Sequence, residues 1–542
     1  MDRINIIGAG LSGLSAALTL SYSGISCNLI SLQPSERAQS VLAEGGINAA
    51  LDTMGENDCI ENHFNDTIHG GADMADPNAV DGLTRNAPAI LYWLEHLGVP
   101  FNRKNGKIVL RNFGGQKKKR TAYAKSSTGK MMMTSLTDEA RKYEAKGLIT
   151  RYPHHEFIRL LLDNSGKNCL GVRVKDTYSG ELIDFFGTVL LASGGINGVF
   201  PHMTTGTTQN SGDVTATVFS QGVRAGNLEM IQYHPTTYGI SGKRCLLTEA
   251  ARGEGGRLYV IRNGEPWYFM EEKYPELKNL MPRDVVSREI YFVRRSDDCE
   301  NTVYLDMREL PEDTWKHKLS DLREEIIKYL SLDPKRDPIP IEPGIHYFMG
   351  GIDTDENHRT NIGNLYASGE CTCQYHGANR LGGNSMLGAI YGGKKAAESI
   401  LQSGEKESAA EPSFSVCEKD DSDEYAEEAS AERIRQIREI LLDGLGIVRN
   451  ENEMQNALAR LKRLAADNKL NKREQNRVCL ARAMLMSALE RKESRGAHYR
   501  EDYPAKNDDY QKTTTASFEN QNIVIRFREL PKRRSCNNEN KT

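Results

Sequence analysis

The segment Gly8-Ala9-Gly10-Leu11-Ser12-Gly13 constrains this chain more than any other feature. It follows the apolar residues Ile4, Ile6 and Ile7 and opens a stretch with Leu14, Ala17, Leu18 and Leu20 on one helical face. Gly24 ends that helix near Ser23, and residues 27–32 read as a second strand. A GxGxxG between strand and helix has a specific mechanics. Gly8 allows the tight bend, Gly10 lets backbone approach a pyrophosphate, and Gly13 permits close helix–strand packing. The helix N-terminus then stabilises the phosphate charge. The pattern predicts a dinucleotide-binding α/β unit. The second strand ends in Ser31 where an acidic residue usually holds a ribose, so the ribose contact is a hydroxyl without charge.

Further glycine clusters recur far along the chain, at Glu44-Gly45-Gly46, at Ser193-Gly194-Gly195 after an apolar run from Val189, and at Ser368-Gly369-Glu370. Strands ending in glycine this far apart imply one nucleotide domain interrupted by an insertion. They also imply a long nucleotide touched by several loops, which fits FAD better than NAD. The 542 residues suffice for three or four domains at roughly 150 residues each. Lys plus Arg is 70 against 74 Asp plus Glu, so the basic excess of a nucleic-acid protein is missing. No apolar run reaches the roughly 18 residues of a membrane span. The start reads as a buried strand rather than a signal peptide, which predicts a cytoplasmic protein. The ten cysteines contain no CxxC pair, so no metal site and no iron–sulfur cluster is expected in this chain.

Six motifs in order then resemble the flavoprotein subunit family of fumarate reductase and succinate dehydrogenase, to which L-aspartate oxidases are related. They are Phe113-Gly114-Gly115-Gln116, Gln232-Tyr233-His234-Pro235-Thr236, the run Thr248-Glu249 to Arg252-Gly253-Glu254-Gly255-Gly256, Pro282-Arg283-Asp284, His346-Tyr347-Phe348-Met349-Gly350-Gly351, and His376-Gly377-Ala378-Asn379-Arg380 through Ser385. Glu493-Ser494-Arg495-Gly496-Ala497-His498 adds a tail motif. The resemblance implies an α/β fold, with a Rossmann-like FAD-binding domain interrupted by an α+β capping domain and followed by a C-terminal helical domain. The expected division is 1–230 and 346–405 for FAD, 231–345 for the cap, 406–431 as an acidic linker, 432–500 as helices and 501–542 as a polar tail with a short strand-like run at Ile523-Val524-Ile525. In the helical part Ile434, Ile437 and Leu441 keep one face, as do Leu458, Leu461 and Leu464.

A dicarboxylate needs a donor-rich group at each end. Arg380 and His346 are expected at one carboxylate, His234 and Thr248 at the other. The resemblance makes Arg283 the proton donor and Glu249 and Arg252 its relay, with Phe113 beside the substrate. The expected FAD contacts are Gly8, Gly10, Gly13, Ser31, Gly45, Gly46, Gly194, Asp213, Glu370, Asn384 and Ser385. Lys117-Lys118-Lys119-Arg120 reads as a solvated loop face, or more sharply as an attractor of dianions. His63, His69, His96, His154, His155, His202, His317 and His358 fit no active-site motif and are expected to be structural or exposed.

Two departures from the family pattern carry weight. Covalent members link FAD through a histidine within Ser-His-Thr-Val-Ala-Ala-x-Gly-Gly. Gln39 stands at that place, and the first histidine of the chain is His63, so FAD is expected to be held non-covalently. In the family the covalent bond goes with a raised flavin potential, so its loss favours fumarate reduction over succinate oxidation. L-Aspartate oxidases carry Glu where Phe113 stands, to pair with the substrate ammonium; Phe cannot do so. The expected reaction is therefore reversible reduction of fumarate to succinate. L-Aspartate oxidase, a related acrylate reductase and a non-catalytic electron carrier are the alternatives. The resemblance also implies that electrons come from a separate iron–sulfur subunit. With it comes peripheral attachment to the inner face of the cytoplasmic membrane, through a membrane-anchored complex.

Overall fold

Strand Ile4–Ile7 is wholly buried and lies at the centre of a five-stranded parallel sheet. Its neighbours are Cys27–Ser31 on one side and Val189–Leu191 on the other; Ile149–Pro153 and Leu365–Ala367 form the edges. Every strand is parallel to its neighbours, as expected when helices cover both faces. The computed structural model describes residues 3–125, 127–200, 202–403, 415–416, 430–466 and 470–534. Helix Leu11–Tyr22 follows the central strand and packs closely on helix Asn384–Ser403. A Cβ on Gly393 would lie 2.1 Å from the Ser12 carbonyl oxygen, so only glycine allows that approach. Chain from both sides of the insertion thus shares one core.

The insertion is built on a six-stranded sheet ordered Lys243–Leu246, Ile231–Ile240, Ile339–Phe348, Cys299–Asp306, Arg257–Arg262, Glu265–Trp267. Ile231–Ile240 and Ile339–Phe348 pair antiparallel and are the two segments that connect the insertion to the domain of the parallel sheet. Helix Arg283–Val293 lies against them, with Val286, Ile290 and Val293 in the insertion's own apolar core.

Helices Ala431–Gly444, Glu451–Ala465 and Lys472–Glu490 form the C-terminal bundle. Ile437, Leu441 and Leu461 are buried, while Leu458 and Leu464 pack at the margin of the same core. Asn471 and Glu474 form a reciprocal capping box that starts the last helix. The strand-like run at Ile523-Val524-Ile525 lies in the second strand of a hairpin, Asn522–Glu529, whose first strand, Lys512–Glu519, reads in the sequence only as polar tail. That first strand pairs with Ala225–Gly226, which joins the hairpin to a sheet that also contains Gly351–Ile352. Composition hides the first strand: Thr513, Thr514, Thr515 and Ser517 are all buried although polar. The acidic linker lies outside the described residues except for Ser415–Val416, which pair with Leu182–Phe186, and Ser430 and Ala431, which start the first helix of the bundle.

In the loop 117–120, Lys117 and Lys119 are exposed as a solvated face requires, but Arg120 departs from that reading. Arg120 is completely buried and pairs with Asp58 and Asp66, each at 2.9 Å. Lys118 and Lys119 are held by Glu56. A run of like charges reads as solvent-facing, but these acids come from a different part of the chain.

Candidate active site

One continuous cavity runs from the Gly-rich turn to the junction with the insertion. At its nucleotide end it is lined by Gly8, Gly10, Ser31, Gly45, Gly46, Gly194, Asp213, Glu370 and Ser385 from the expected set. Gly8 has φ +118°, and a Cβ there would sit 2.2 Å from the Ala192 carbonyl oxygen. A Cβ on Gly195 would strike the Glu370 carboxyl at 2.4 Å. Such positions keep the wall bare of side chains where backbone must meet a ligand. Gly13 lies behind the wall, where its missing Cβ lets the helix sit on the Gly8 carbonyl. Ser31 ends its strand at the cavity, its hydroxyl donating to the Gln33 carbonyl at 2.7 Å. The Asp213 carboxylate, at the N-terminus of helix Asp213–Ser220, is paired with Arg477 of the C-terminal bundle. Burial pushes the Glu370 carboxyl up to about 7.

Asn384 departs from expectation. Its amide is turned into the protein, where Oδ1 accepts from Asn48 at 2.7 Å and lies 3.1 Å from His63 Nε2, while Nδ2 donates to Thr67. Asn384 therefore supports the turn at Gly382 and Gly383 instead of facing the cavity. His63 and His358 are buried structural residues, while His155 lines the cavity, contrary to its expected role.

The other end of the cavity gathers Phe113, His234, Thr248, Glu249, Arg283, His346 and Arg380. The rings of His234 and His346 meet edge-on with centroids 5.2 Å apart. They come from the two paired strands that lead into and out of the insertion. Burial, then the positive charge of Arg283, holds both imidazoles well below their usual range, so both are neutral. His346 Nδ1 lies 2.7 Å from the Thr205 hydroxyl. Arg380 stacks over the Tyr347 ring at 4.4 Å. Its Nη1 donates to the Leu381 carbonyl, while its Nε is buried with no partner among the described residues. Burial, reinforced by the like charge of Arg283, pushes Arg380 down to about 9. A buried guanidinium edge with unused donors fits a carboxylate.

Arg283 sits at the first turn of helix Arg283–Val293. Its Nη2 and Nε donate to Glu249 Oε2 at 2.5 and 3.0 Å, and its Nη1 donates to Gln232 Oε1 at 3.1 Å. Glu249 Oε1 accepts from Arg252 at 3.3 Å and from the Gly114 N–H at 3.1 Å. Burial works to raise the Glu249 carboxyl, but Arg283 and Arg252 overcome it and hold it at about 2. Arg252 does not line the cavity; it reaches the site only through Glu249. Arg252, Arg283 and Arg380 outnumber the ionised carboxylate they surround, leaving this end of the cavity positive and suited to a dianion. Phe113 is buried against Gly45 and Gly382, an apolar wall between the two ends.

The FAD binding domain family matches residues 4–386, and the fumarate reductase flavoprotein C-terminal family matches 434–535. The succinate dehydrogenase flavoprotein subunit of Bacillus subtilis is 36% identical, with 95% of this chain and 94% of that protein covered.

The chain belongs to the succinate dehydrogenase and fumarate reductase flavoprotein family.

The fumarate reductase flavoprotein subunit of a Serratia species is 32% identical to this flavoprotein over 92% of its length and 88% of the relative. Among solved structures, an E. coli quinol fumarate reductase FrdA mutant superposes with a TM-score of 0.81 at 29% identity, covering 100% of this chain and 98% of that one. FAD is the cofactor of this flavoprotein, an oxidoreductase of the family, and the fold class is the one read from the sequence. The bare glycine walls and the helix N-terminus at Leu11 fit its pyrophosphate.

Sequence reasoning missed the supports. Gln232 stood inside a quoted motif, but nothing in the string marks it as an acceptor for Arg283. Thr205, which holds His346, lies in a loop with no regular element and had no signal at all.

Proposed function

We propose that this flavoprotein interconverts fumarate and succinate, with reduction of fumarate the favoured direction. What carries the reading is the convergence of His234, His346, Thr248, Arg380 and Arg283 at one end of the cavity, with Arg283 backed by the Glu249–Arg252 pair. FAD, when bound, supplies hydride chemistry. The chain's residues supply the rest. Arg380 donates to one substrate carboxylate beside His346, and His234 with Thr248 receives the other. Neutral imidazoles are suited to this because each ring carries one N–H donor without adding charge to the already cationic site. Arg283 gives up a guanidinium proton to the substrate carbon. Free arginine hardly ever does so, but here Glu249 at 2.5 Å passes the proton back from Arg252. Until that proton leaves, the positive charge of Arg283 also stabilises carbanion character developing at that carbon.

Gln39 supports non-covalent FAD and, through the lower flavin potential expected without the covalent bond, the reductive direction. Phe113 weighs against L-aspartate oxidation, because its ring offers nothing to a substrate ammonium. No helix among the described residues is long and apolar enough to cross a membrane. The relatives are named as subunits. That supports electron supply by a separate iron–sulfur subunit, through which the chain would also attach peripherally to a membrane.

The deciding assay uses one FAD-loaded preparation. Fumarate reduction by reduced viologen should exceed succinate oxidation with a phenazine acceptor, and L-aspartate with oxygen should give nothing. Absence of fumarate turnover, or aspartate oxidation above it, overturns the proposal.

A further inference from the structure

Gln39 lies on the cavity wall in the short turn Gln39–Leu42, and its side-chain Oε1 accepts the N–H of Thr207. Two residues before Thr207, the Thr205 hydroxyl meets His346 Nδ1 at 2.7 Å. The segment is anchored on its near side at Thr204, whose hydroxyl accepts from Gly206 N and from Asn197 Nδ2, each at 3.0 Å. It pairs briefly with the strand that carries His346, through Thr205 N to Ile345 O at 2.9 Å and Ile345 N to Met203 O at 2.7 Å. Beyond Thr207 the chain continues as loop to Gly212. Thr207 is thus the far end of a strap, with Gln39 holding it and Thr205 bearing on the histidine.

We propose that Gln39 is a positioning residue for His346, acting through the strap 205–207. The inference rests on the dicarboxylate reading of the site. A neutral imidazole can present either a donor or an acceptor to the cavity, depending on which nitrogen holds the proton. When the Thr205 hydroxyl donates to Nδ1, the proton stays on Nε2, and Nε2–H is the donor a carboxylate needs. A strap free to swing lets Thr205 leave, and His346 then loses both its orientation and its tautomer. Gln39 keeps the strap seated by giving the half-buried Thr207 N–H an acceptor within the protein. The same residue faces the FAD cavity, so one side chain connects the cofactor wall to the substrate histidine without touching substrate.

The test uses the full FAD-loaded chain with Gln39→Leu, which keeps the bulk and loses the acceptor, and Gln39→Glu, which keeps an acceptor oxygen. FAD content is set by reconstitution and checked by absorbance. Hydrogen exchange across residues 203–210 should quicken in Gln39→Leu and match the wild type in Gln39→Glu. Malonate, a dicarboxylate that cannot be dehydrogenated, should bind about 3- to 10-fold more weakly to Gln39→Leu, as loss of one neutral hydrogen bond predicts. The fumarate KM should rise by the same factor while kcat stays within about 2-fold. Thr205→Val should weaken malonate similarly, and the Gln39→Leu/Thr205→Val pair should be no weaker than Thr205→Val alone. Unchanged malonate binding in FAD-saturated Gln39→Leu overturns the proposal. So do additive effects in the pair, and so does Gln39→Glu behaving like Gln39→Leu. A wild-type protein that neither binds malonate nor reduces fumarate overturns the dicarboxylate reading itself, and the role assigned to Gln39 with it.

Discussion

Arg283→Ala and Glu249→Gln touch the same ion pair and should have matching effects on turnover but unequal effects on stability. Either change interrupts proton delivery, so fumarate turnover should fall by about 10²–10⁴. That corresponds to roughly 3–5 kcal/mol of barrier. The stability side follows from counting charges. Arg283 and Arg252 share Glu249, with Arg283 Nη2 at 2.5 Å and Arg252 Nη2 at 3.3 Å. Removing Arg283 leaves Glu249 and Arg252 as a balanced pair and relieves the repulsion between neighbouring guanidiniums. What is lost is two charge-assisted hydrogen bonds to Glu249 and one to Gln232, a loss that the relief of repulsion offsets in part. Glu249→Gln instead leaves two buried guanidiniums facing a neutral amide. Breaking a buried pair in this way costs about 3–5 kcal/mol.

Urea unfolding of FAD-saturated protein reads the difference, and viologen-linked fumarate reduction reads turnover. Glu249→Gln should be the less stable variant by at least about 1 kcal/mol. Near-normal turnover in Arg283→Ala with full flavin content would move the acid to another residue. Equal stabilities would show that the two arginines do not depend on one carboxylate, which would refute the charge argument.

Other expectations concern the cofactor bond, acid stability and the substrate loop. Gln39 cannot form a histidyl–flavin link, so denaturant or acid should release all the FAD; yellow colour kept by the denatured chain in a gel contradicts this. Glu249 is held at about 2 when folded against 4.5 when free, so the folded chain binds fewer protons between these values. Its contribution, roughly 3 kcal/mol by linkage, is complete above pH 4.5 and is lost as the pH falls toward 2. Over that interval Glu249→Gln should lose stability less steeply than the wild type, measured by urea midpoints against pH. Gly496 has φ +55°, and a Cβ there would lie 2.5 Å from the Ala378 carbonyl oxygen, while Ala497 N donates to the same oxygen at 2.9 Å. Gly496→Ala should therefore displace the loop that carries Arg380 and raise the fumarate KM about 10-fold, with a smaller change in kcat. An unchanged KM removes the link between the tail motif and Arg380.

The sequence alone determined whatever depends on local order. A strand, a glycine turn and a helix that are contiguous must form the same mononucleotide unit wherever they occur, because φ freedom, missing Cβ atoms and the helix N-terminus act over a few residues. The motifs around His234, Glu249, Arg283, His346 and Arg380 likewise pointed to the chemistry proposed above, since their residue types suit a dicarboxylate and a proton relay. Only the tertiary structure decided which groups meet. Arg120 looked solvated until Asp58 and Asp66 came to it from 62 and 54 positions earlier in the chain. Asn384, in the middle of a cavity motif, faces inward because Asn48, His63 and Thr67 use up its amide. The last hairpin belongs to the FAD domain because Ala225–Gly226 offers an unpaired edge to Thr515 and Ala516. Thr205 holds His346, and Gln39 holds Thr207, across separations of 141 and 168 residues. Such pairings leave no local trace in a sequence, because hydrogen bonds and charge act through distance in space, and it is folding that brings distant parts of the chain within their reach.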